Sequence, residues 1–378
     1  MKNEKRIVES MLDGSGITIN GNNAYDPQVH DERLYGRVLR QGTLGLGESY
    51  MNGWWDCEQL DELFHRLLSA ELDKKVRDNL NVIARIAWTS LPGIGGRSRA
   101  FEIGRRHYDV GNDLYRAMLD RRMTYTCGYW NPSNLSGQAP RNLDEAQEAK
   151  LDLVCRKIGL SSGQRVLDIG SGWGSFIGYA AEKYGAHALG ITVSKKQKEL
   201  ADGLYKDLSV ETRLQDYRDI EGQFDHVVSL GMFEHVGHRH YRDFMKVVHG
   251  VLKKDGLFLL HTIGGNRSAR GADPWIGKYI FPNSMLPSMS QIASAIEGLF
   301  IVEDWHNFGA DYDKTLLAWH SNFEDHWSAL RATYNERFRR MWRYYLLSCA
   351  GSFRARKNQL WQIVLSKKGV PGGYASVR

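Results

Sequence analysis

The stretch Val166-Leu167-Asp168-Ile169-Gly170-Ser171-Gly172-Trp173-Gly174 predicts a strand that ends in a glycine turn. A short apolar run closes with an acid, and three glycines follow in the spacing G-x-G-x-G. Residues 175–182 then have the composition of a helix. A strand, a glycine turn and a helix bring the backbone close to a nucleotide-like ligand, because any side chain there would block the ligand or forbid the turn. The alternative is an ordinary tight turn, which the glycines alone do not exclude.

The residues around this loop narrow the class of ligand. No Gly-Lys-Ser/Thr follows the glycines, so the loop is not a Walker A motif, and its spacing also differs from the dinucleotide pattern G-x-G-x-x-G. NAD enzymes carry an acid after the second strand, whereas residues 190–197 contain no carboxylate. Asp216 closes the third predicted strand, where S-adenosylmethionine enzymes often hold the adenine amino group, and Tyr217 follows it. These features favour S-adenosylmethionine, although a single Asp after a strand is also typical of a turn.

Composition limits the class of protein. The chain has 378 residues, enough for about two domains. Its 42% hydrophobic and 25% charged residues are those of an ordinary globular protein. The net charge of +6 favours an anionic partner, either nucleic acid or a membrane surface. We find no signal peptide and no apolar run of about 20 residues, so we expect a cytoplasmic protein or one peripheral to a membrane. The four cysteines form no C-x-x-C pair, which predicts neither a zinc site nor a disulfide framework.

The order of patterns predicts a helical region followed by an α/β sheet. Residues 1 to about 90 are predicted to be mostly helical, with a loop or strained connection over the glycine-rich residues 42–55. A linker is predicted at 92–104. From residue 165 onward strands alternate with helices. Strands are predicted at about 165–169, 187–192, 210–214, 224–230, 256–262, 300–306 and 360–366.

The last predicted helix has two different faces. One face carries aromatic and apolar residues, among them Phe338, Trp342 and Tyr345. The other carries Arg339, Arg340 and Arg343 and could touch an anionic surface. More often such a pattern is a core face with a solvated back.

Eleven stretches together resemble the cyclopropane-fatty-acyl-phospholipid synthases, from about residue 30 to about 366. They are GTLGLGESYMNGWW (42–55), HYDVGNDLY (107–115), YTCGYW (125–130), VLDIGSGWG (166–174), GITVS (190–194), LQDYRD (214–219), GMFEHVG (231–237), FLLHTIG (258–264), DPWIGKYIFPN (273–283), EDWHNFGADYDKTL (303–316) and CAGSFRARKNQLWQ (349–362). The resemblance implies a class I methyltransferase, a Rossmann-like seven-stranded α/β sheet, with a small helical N-terminal domain. We expect an N-terminal lipid-binding domain at 1–91, the linker at 92–104 and a catalytic domain at 105–378. The mycolic acid cyclopropane synthases are similar only in the catalytic domain.

The resemblance also implies a reaction and its base. Such enzymes transfer a methyl from S-adenosylmethionine to the cis double bond of a lipid acyl chain, and the resulting carbocation loses a proton as the cyclopropane ring closes. The implied base is bound bicarbonate, whose contacts map onto Cys127, Glu234, His261, Ile263 and Tyr312. All of these except Ile263 are expected to be catalytic. Without the resemblance, Cys127 would be interpreted as a buried apolar residue and His261 as a core histidine.

Two further sets of residues follow from the same resemblance. The S-adenosylmethionine site is expected to use Tyr125, Thr126, Gly170, Gly172, Gly174, Thr192, Gln197, Asp216 and Tyr217. No metal is expected. Aromatic rings stabilise a nearby cation, and the candidates are Tyr108, Tyr125, Trp130 and Phe233, each of which is equally typical of core packing.

Other functions remain open from the sequence. A methyltransferase on the same scaffold could act on an amine or make a methyl-branched chain, but an amine substrate needs no bicarbonate base. A non-catalytic protein that binds S-adenosylmethionine or a membrane is disfavoured by the intact glycine loop and base residues. RNA methylation is suggested only by the positive charge. We therefore expect phospholipid substrates at an anionic membrane surface, a peripheral position on the inner face of the membrane, no nucleic acid partner and a homodimer.

Overall fold

The computed structural model describes residues 2–70, 111–131 and 138–378. Its helices and strands, in chain order, are α1 (Lys2–Met11), β1 (Gln28–Val29), α2 (Arg33–Met51), β2 (Trp55–Asp56), α3 (Leu60–Ser69), α4 (Asn112–Met118), α5 (Leu143–Lys157), β3 (Arg165–Ile169), α6 (Ser175–Tyr184), β4 (His187–Thr192), α7 (Lys195–Leu204), β5 (Val210–Leu214), β6 (Phe224–Leu230), α8 (Tyr241–Val251), β7 (Leu252–Gly265), α9 (Pro274–Tyr279), α10 (Met289–Ile296), β8 (Ile301–Asn307), α11 (Ala310–Asp325), α12 (Trp327–Leu330), α13 (Glu336–Arg354) and β9 (Asn358–Ser366). None of the helices in these ranges combines the length and apolarity needed to cross a bilayer.

The chain divides into two compact units. The first unit draws on residues 1–94, 271–282 and 316–358, and the second on 95–270, 283–315 and 359–378. Two stretches from the C-terminal half therefore group with the N-terminal residues, which a single cut in the sequence does not describe. The predicted linker at 92–104 and Tyr108 lie outside the described residues. The division into functional domains at 1–91 and 105–378 stays a prediction.

The second unit is built on a seven-stranded sheet in the order β5-β4-β3-β6-β7-β9-β8. Strands β3 to β7 pair in parallel, and β8 pairs with β9 antiparallel. All seven predicted strands are present, which confirms the α/β prediction. Neighbouring residues of β3 enter different cores, since Val166 joins one apolar cluster and Leu167 another. Helices thus cover both faces of the sheet, as the continuous apolar run of a buried parallel strand requires.

In the first unit, α13 packs against α3 and α2 and is buried on more than one side. Trp342 and Tyr345 are buried as predicted, but Tyr344 is buried as well. Its ring contacts those of Tyr50 and Trp275, with centroids 5.5 and 4.5 Å away. A helix that is apolar on several sides forms the core of this unit rather than a surface element.

The arginine face of α13 makes contacts within the first unit. Arg340 donates to the backbone oxygens of Tyr50 and Trp55 at 2.6 and 2.8 Å. Arg343 donates to the backbone oxygen of Glu58 at 2.9 Å. Arg339 forms an ion pair with Glu324. The suggestion that this face is available for an anionic surface is therefore wrong for Arg340, whose guanidinium satisfies carbonyls at the end of α2 and in β2.

The glycine-rich stretch at 42–55 is mostly helix and not a loop. Residues 43–51 continue α2, and the backbone departs from helical geometry at Gly42 (φ 56°, ψ −132°). A Cβ on Gly45 would lie 2.6 Å from the backbone oxygen of Arg37, and one on Gly47 would lie 2.4 Å from the Trp275 ring. These glycines permit one sharp break and close packing of a helix. Of the two predicted alternatives, the loop is wrong, whereas the break at Gly42 agrees with a strained connection.

Candidate active site

The glycine loop after β3 adopts left-handed backbone geometry at all three glycines. The φ angles of Gly170, Gly172 and Gly174 are 89°, 56° and 86°. A Cβ on Gly170 would lie 2.6 Å from Met232, and one on Gly174 would lie 2.9 Å from the Tyr205 ring. A Cβ on Gly172, in contrast, meets no heavy atom within 4 Å in the described part of the chain. Gly170 and Gly174 are therefore required by packing, whereas Gly172 borders open space.

Gly172 borders a cavity beside the loop that comprises about 500 Å³, including space open to solvent. Its lining consists of Met123, Thr124, Tyr125, Thr126, Lys150, Asp168, Gly170, Ser171, Gly172, Trp173, Ser175, Gln197, Leu230 and Gly231. Five of the nine residues predicted for the cofactor are among them.

The other four predicted cofactor residues are not part of this lining. The Thr192 hydroxyl donates to Gln197 Oε1 at 2.7 Å and so positions a side chain that does line the cavity. Gly174 starts α6. The Asp216 carboxylate accepts hydrogen bonds from the Arg218 guanidinium at 2.8 and 2.6 Å, and Tyr217 packs edge-on against Phe244. Contact of these four residues with a cofactor stays a prediction.

Two buried charged residues of the lining were missed as site residues. Asp168 is the acid in the apolar stretch before the glycine loop, so the sequence alone could have indicated it as a site residue. Its Oδ1 has no hydrogen-bond partner among the described residues, and burial raises its pKa to about 7. Lys150 of α5 is 0% exposed and donates to the Thr126 hydroxyl at 2.8 Å. Burial lowers the pKa of Lys150 to about 8. The sequence around Lys150 is rich in charged residues, and this is typical of a solvated helix.

A second group of residues lies where β6 and β7 end. Leu230 pairs with His261, and the Gly231 N–H donates to the backbone oxygen of His261 at 2.9 Å. Glu234 lies in a 3₁₀ turn just beyond β6, and its Oε1 accepts the Ile263 N–H at 2.6 Å. Because parallel strands end at the same edge, three predicted base-site residues meet there.

Glu234 is a buried carboxyl with one uncommitted oxygen. Within the described ranges, Oε2 has no hydrogen-bond partner. Burial raises the pKa of Glu234 to about 7, although the bond from Ile263 opposes that shift. A buried carboxyl with a free oxygen is suited to orient a small polar ligand, because an unsatisfied buried acceptor carries a free-energy cost that a ligand donor relieves.

His261 is held as a neutral ring. The side-chain amide nitrogen of Gln362 lies 3.3 Å from its Nδ1, and the Phe308 ring packs edge-on at 5.8 Å. Burial lowers the pKa of His261 well below its usual range. At neutral pH this histidine is therefore uncharged and offers one N–H donor.

Cys127 and Tyr312 come from different elements. The Cys127 thiol donates to the backbone oxygen of Gly128 at 3.1 Å and lies 3.7 Å from the Thr315 hydroxyl. Burial raises the pKa of this thiol well above its usual range, so it is not a thiolate nucleophile. Tyr312 is buried one turn before Thr315 on α11. The residue next to Cys127 reaches the sheet edge, since a Cβ on Gly231 would lie 2.7 Å from Thr126.

The aromatic residues proposed to face a cation are in different environments. Tyr125 lines the cavity. Trp130 donates from Nε1 to the Thr315 hydroxyl at 3.0 Å. Phe233 is fully buried and stacks on Tyr241 with centroids 4.1 Å apart. Phe233 is therefore a core residue, which was the alternative interpretation of its pattern.

The lining offers polar groups to a ligand that carries an amino-acid group. Gly172 leaves room for close approach of a ligand to the backbone. Asp168 has a carboxyl oxygen without a hydrogen-bond partner among the described residues, and such an oxygen suits the ammonium of an amino acid.

Comparison with known proteins identifies the family. The sequence model of the mycolic acid cyclopropane synthetase family matches residues 96–363. The cyclopropane-fatty-acyl-phospholipid synthase of Escherichia coli strain K12 is 47% identical over 373 residues, which cover 99% of this chain and 96% of that protein. The chain belongs to the mycolic acid cyclopropane synthetase family.

Two more similar proteins connect the chain to chemistry and structure. The tuberculostearic acid methyltransferase of Mycobacterium tuberculosis is 34% identical and covers 90% of this chain and 82% of its own. A solved mycolic acid cyclopropane synthase complexed with SAH and CTAB is 31% identical, with a TM-score of 0.64, and covers 71% of this chain and 98% of that one. The predicted family, the class I fold and an S-adenosylmethionine-dependent methyltransferase activity are thereby confirmed.

Proposed function

We propose that this enzyme transfers a methylene group from S-adenosylmethionine to the cis double bond of unsaturated acyl chains in membrane phospholipids. The product is a cyclopropane ring, formed through a carbocation that bound bicarbonate deprotonates. The observation that carries this proposal is the 47% identity to the Escherichia coli synthase over 99% of the chain, which includes the N-terminal residues as well as the methyltransferase sheet.

Each side chain of the site has a distinct task in this proposal. S-adenosylmethionine, when bound, supplies an electrophilic methyl group. The glycine loop and Gln197 hold it, and the Thr192 hydroxyl fixes Gln197. Glu234 accepts a hydrogen bond from the bicarbonate O–H, so the carboxylate and the anion do not simply repel. The N–H of His261 and the phenol of Tyr312 serve as donors, and the Ile263 N–H holds the Glu234 carboxylate in place.

A methyl-branched acyl chain is the second candidate product. It is favoured by the 34% identity to a tuberculostearic acid methyltransferase over 90% of this chain. Both products follow from the same methylated cation and differ in which proton leaves.

Product analysis decides between them. The enzyme is incubated with S-adenosylmethionine and vesicles of a cis-unsaturated phospholipid, and acyl chains are measured by mass spectrometry and proton NMR. We expect a gain of one CH₂ with cyclopropane resonances and loss of the olefinic ones. Olefinic resonances beside a new branch would assign the second candidate. No gain in mass would contradict both.

We also propose that residues 1–91 dock the enzyme on the inner face of the cytoplasmic membrane and that it acts as a homodimer. The net charge of +6 supports an anionic surface as the docking partner. Each basic residue near an anionic membrane surface contributes about 1 kcal/mol of attraction, and salt screens this attraction. We therefore expect binding to anionic vesicles to weaken at least tenfold from low to high salt. Sedimentation with anionic and with neutral vesicles measures this binding. Equal binding to neutral vesicles at high salt would contradict the electrostatic docking.

Light scattering tests the proposed homodimer, and a monomer in that measurement would contradict it.

A further inference from the structure

Lys150 is a buried cation whose ammonium forms no ion pair among those found in the described residues. Its Nζ donates to the Thr126 hydroxyl at 2.8 Å. Lys157, seven residues later on α5, provides the contrast: its Nζ lies 3.4 Å from the Asp304 carboxylate and 3.1 Å from His306 Nδ1. Burying an ammonium without a paired charge costs several kcal/mol. The buried carboxyls of Asp120 and Asp168 act on Lys150 electrostatically, but neither forms an ion pair with it among the described residues, so its ammonium can still balance a nearby anion.

The predicted base site needs such a charge. Its members are a protonated thiol, a neutral histidine, a backbone N–H and a phenol, together with the acidic Glu234. None of these is positive. An anion placed beside a glutamate in a buried site is unfavourable unless a nearby cation compensates it.

The packing of α5 brings Lys150 to that site. Gln147, one turn earlier, donates to the backbone oxygen of Thr126 at 2.7 Å, so α5 holds both the backbone and the side chain of this residue. Thr126 directly precedes Cys127 and lies against Gly231, whose N–H bonds to His261.

The effect of Lys150 on neighbouring pKa values also indicates that it lies near the predicted base site. The positive charge of Lys150 acts on the pKa values of both Cys127 and His261, and it lowers each of them. In turn, the carboxyls of Asp120 and Asp168 raise the pKa of Lys150, against the larger lowering by burial. Lys150 therefore lines the cofactor cavity and is close enough to Cys127 and His261 for its charge to act on both.

Resting on the bicarbonate base proposed above, we propose that Lys150 is a positioning residue that holds Thr126 and supplies the buried positive charge for the anion. Two features support it: among the described residues the ammonium forms no ion pair, and its hydrogen bond to Thr126 anchors the segment that carries Cys127. Lys157 does not serve this purpose, because Asp304 already balances it.

Binding of carbon-13-labelled bicarbonate tests this without turnover. Line broadening in carbon-13 NMR gives the dissociation constant for the wild type, Lys150→Met and Lys150→Arg, each with SAH present. We expect at least a tenfold weaker constant for Lys150→Met and a change of less than about threefold for Lys150→Arg, since arginine keeps the charge. The concentration of bicarbonate that half-saturates activity should rise in parallel for Lys150→Met.

The outcomes separate the failure of this inference from that of the base. If the wild type binds no bicarbonate and its activity does not depend on the bicarbonate concentration, the proposed base is wrong. The proposed role of Lys150 is then wrong as well. If the wild type binds bicarbonate and Lys150→Met binds it equally well, the base stands and the role of Lys150 is refuted. Should Lys150→Met fail to fold, Thr126→Val keeps the ammonium but removes its acceptor. We then expect bicarbonate to bind more weakly by roughly three- to tenfold, and unchanged binding overturns the proposal.

Discussion

Glu234→Gln is expected to abolish ring formation while S-adenosylmethionine still binds. Glutamine keeps the shape and the carbonyl that accepts the Ile263 N–H. It places an N–H₂ donor where Oε2 is free to accept, so a protonated oxyanion is no longer oriented. Loss of a group that organises proton transfer costs on the order of 10²-fold or more in rate. Mass spectrometry of acyl chains gives the rate, and calorimetry gives the cofactor affinity, which should change less than about threefold.

Glu303→Gln is the matched control for this variant. Glu303 also accepts a backbone N–H with Oε1, that of Val370 at 2.9 Å, and lies on β8 of the same sheet. It belongs to neither predicted set of site residues, so activity should stay near that of the wild type. Full activity of Glu234→Gln would refute the assigned base site. Equal losses in both variants would mean that a general loss of stability, and not lost chemistry, explains the effect.

Gly172→Ala is expected to weaken S-adenosylmethionine binding by at least about tenfold, which corresponds to about 1.4 kcal/mol. Its Cβ would meet no atom of the described residues within 4 Å, and Gly172 is part of the cavity lining. Close approach of a ligand to this backbone is then blocked by the methyl group itself. The left-handed φ of 56° adds a backbone cost of roughly 1–2 kcal/mol to the stability of the fold. Calorimetric titration with S-adenosylmethionine and thermal unfolding measure the two effects separately.

Gly222→Ala is the matched control, because it has a similar backbone cost but Gly222 is not part of the cavity lining. Gly222 has a φ of 100°, and a Cβ there also meets nothing within 4 Å of the described residues. It precedes β6 at the opposite end of that strand from Gly231. We expect a similar loss of stability with unchanged cofactor affinity. If both variants bind S-adenosylmethionine like the wild type, Gly172 does not contact the cofactor.

The sequence alone was sufficient to predict the sheet and the class of ligand that the glycine loop binds. Alternation of apolar runs, glycine turns and helical patterns located all seven strands, because buried parallel strands must be apolar on both faces. The glycine spacing and the lack of an acid after β4 indicated S-adenosylmethionine instead of NAD. Both inferences rest on local rules, in which neighbouring residues determine the backbone geometry.

Patterns that depend on distant partners were misinterpreted. The glycines at 42–47 looked like a loop, but only contact with Trp275 shows that Gly47 permits tight helix packing. The arginines of α13 looked solvent-exposed, yet Arg340 donates to carbonyls 285 and 290 residues earlier in the chain. Hydrophobic periodicity does not record such partners, because a long polar side chain can reach backbone atoms on another element.

By itself the sequence determined the α/β sheet, the glycine loop and the residues that resemble a family of lipid-modifying enzymes. Only the tertiary structure decided which charges are buried and what compensates them. Lys150 stands in a helix full of charged residues and shows no local signal, yet it is fully buried beside the loop that carries Cys127. Among the described residues, Asp168 and Glu234 each keep one carboxyl oxygen without a hydrogen-bond partner. The physical reason is that the desolvation of a charged group depends on all the atoms packed around it. Those atoms come from segments that are far apart in the chain.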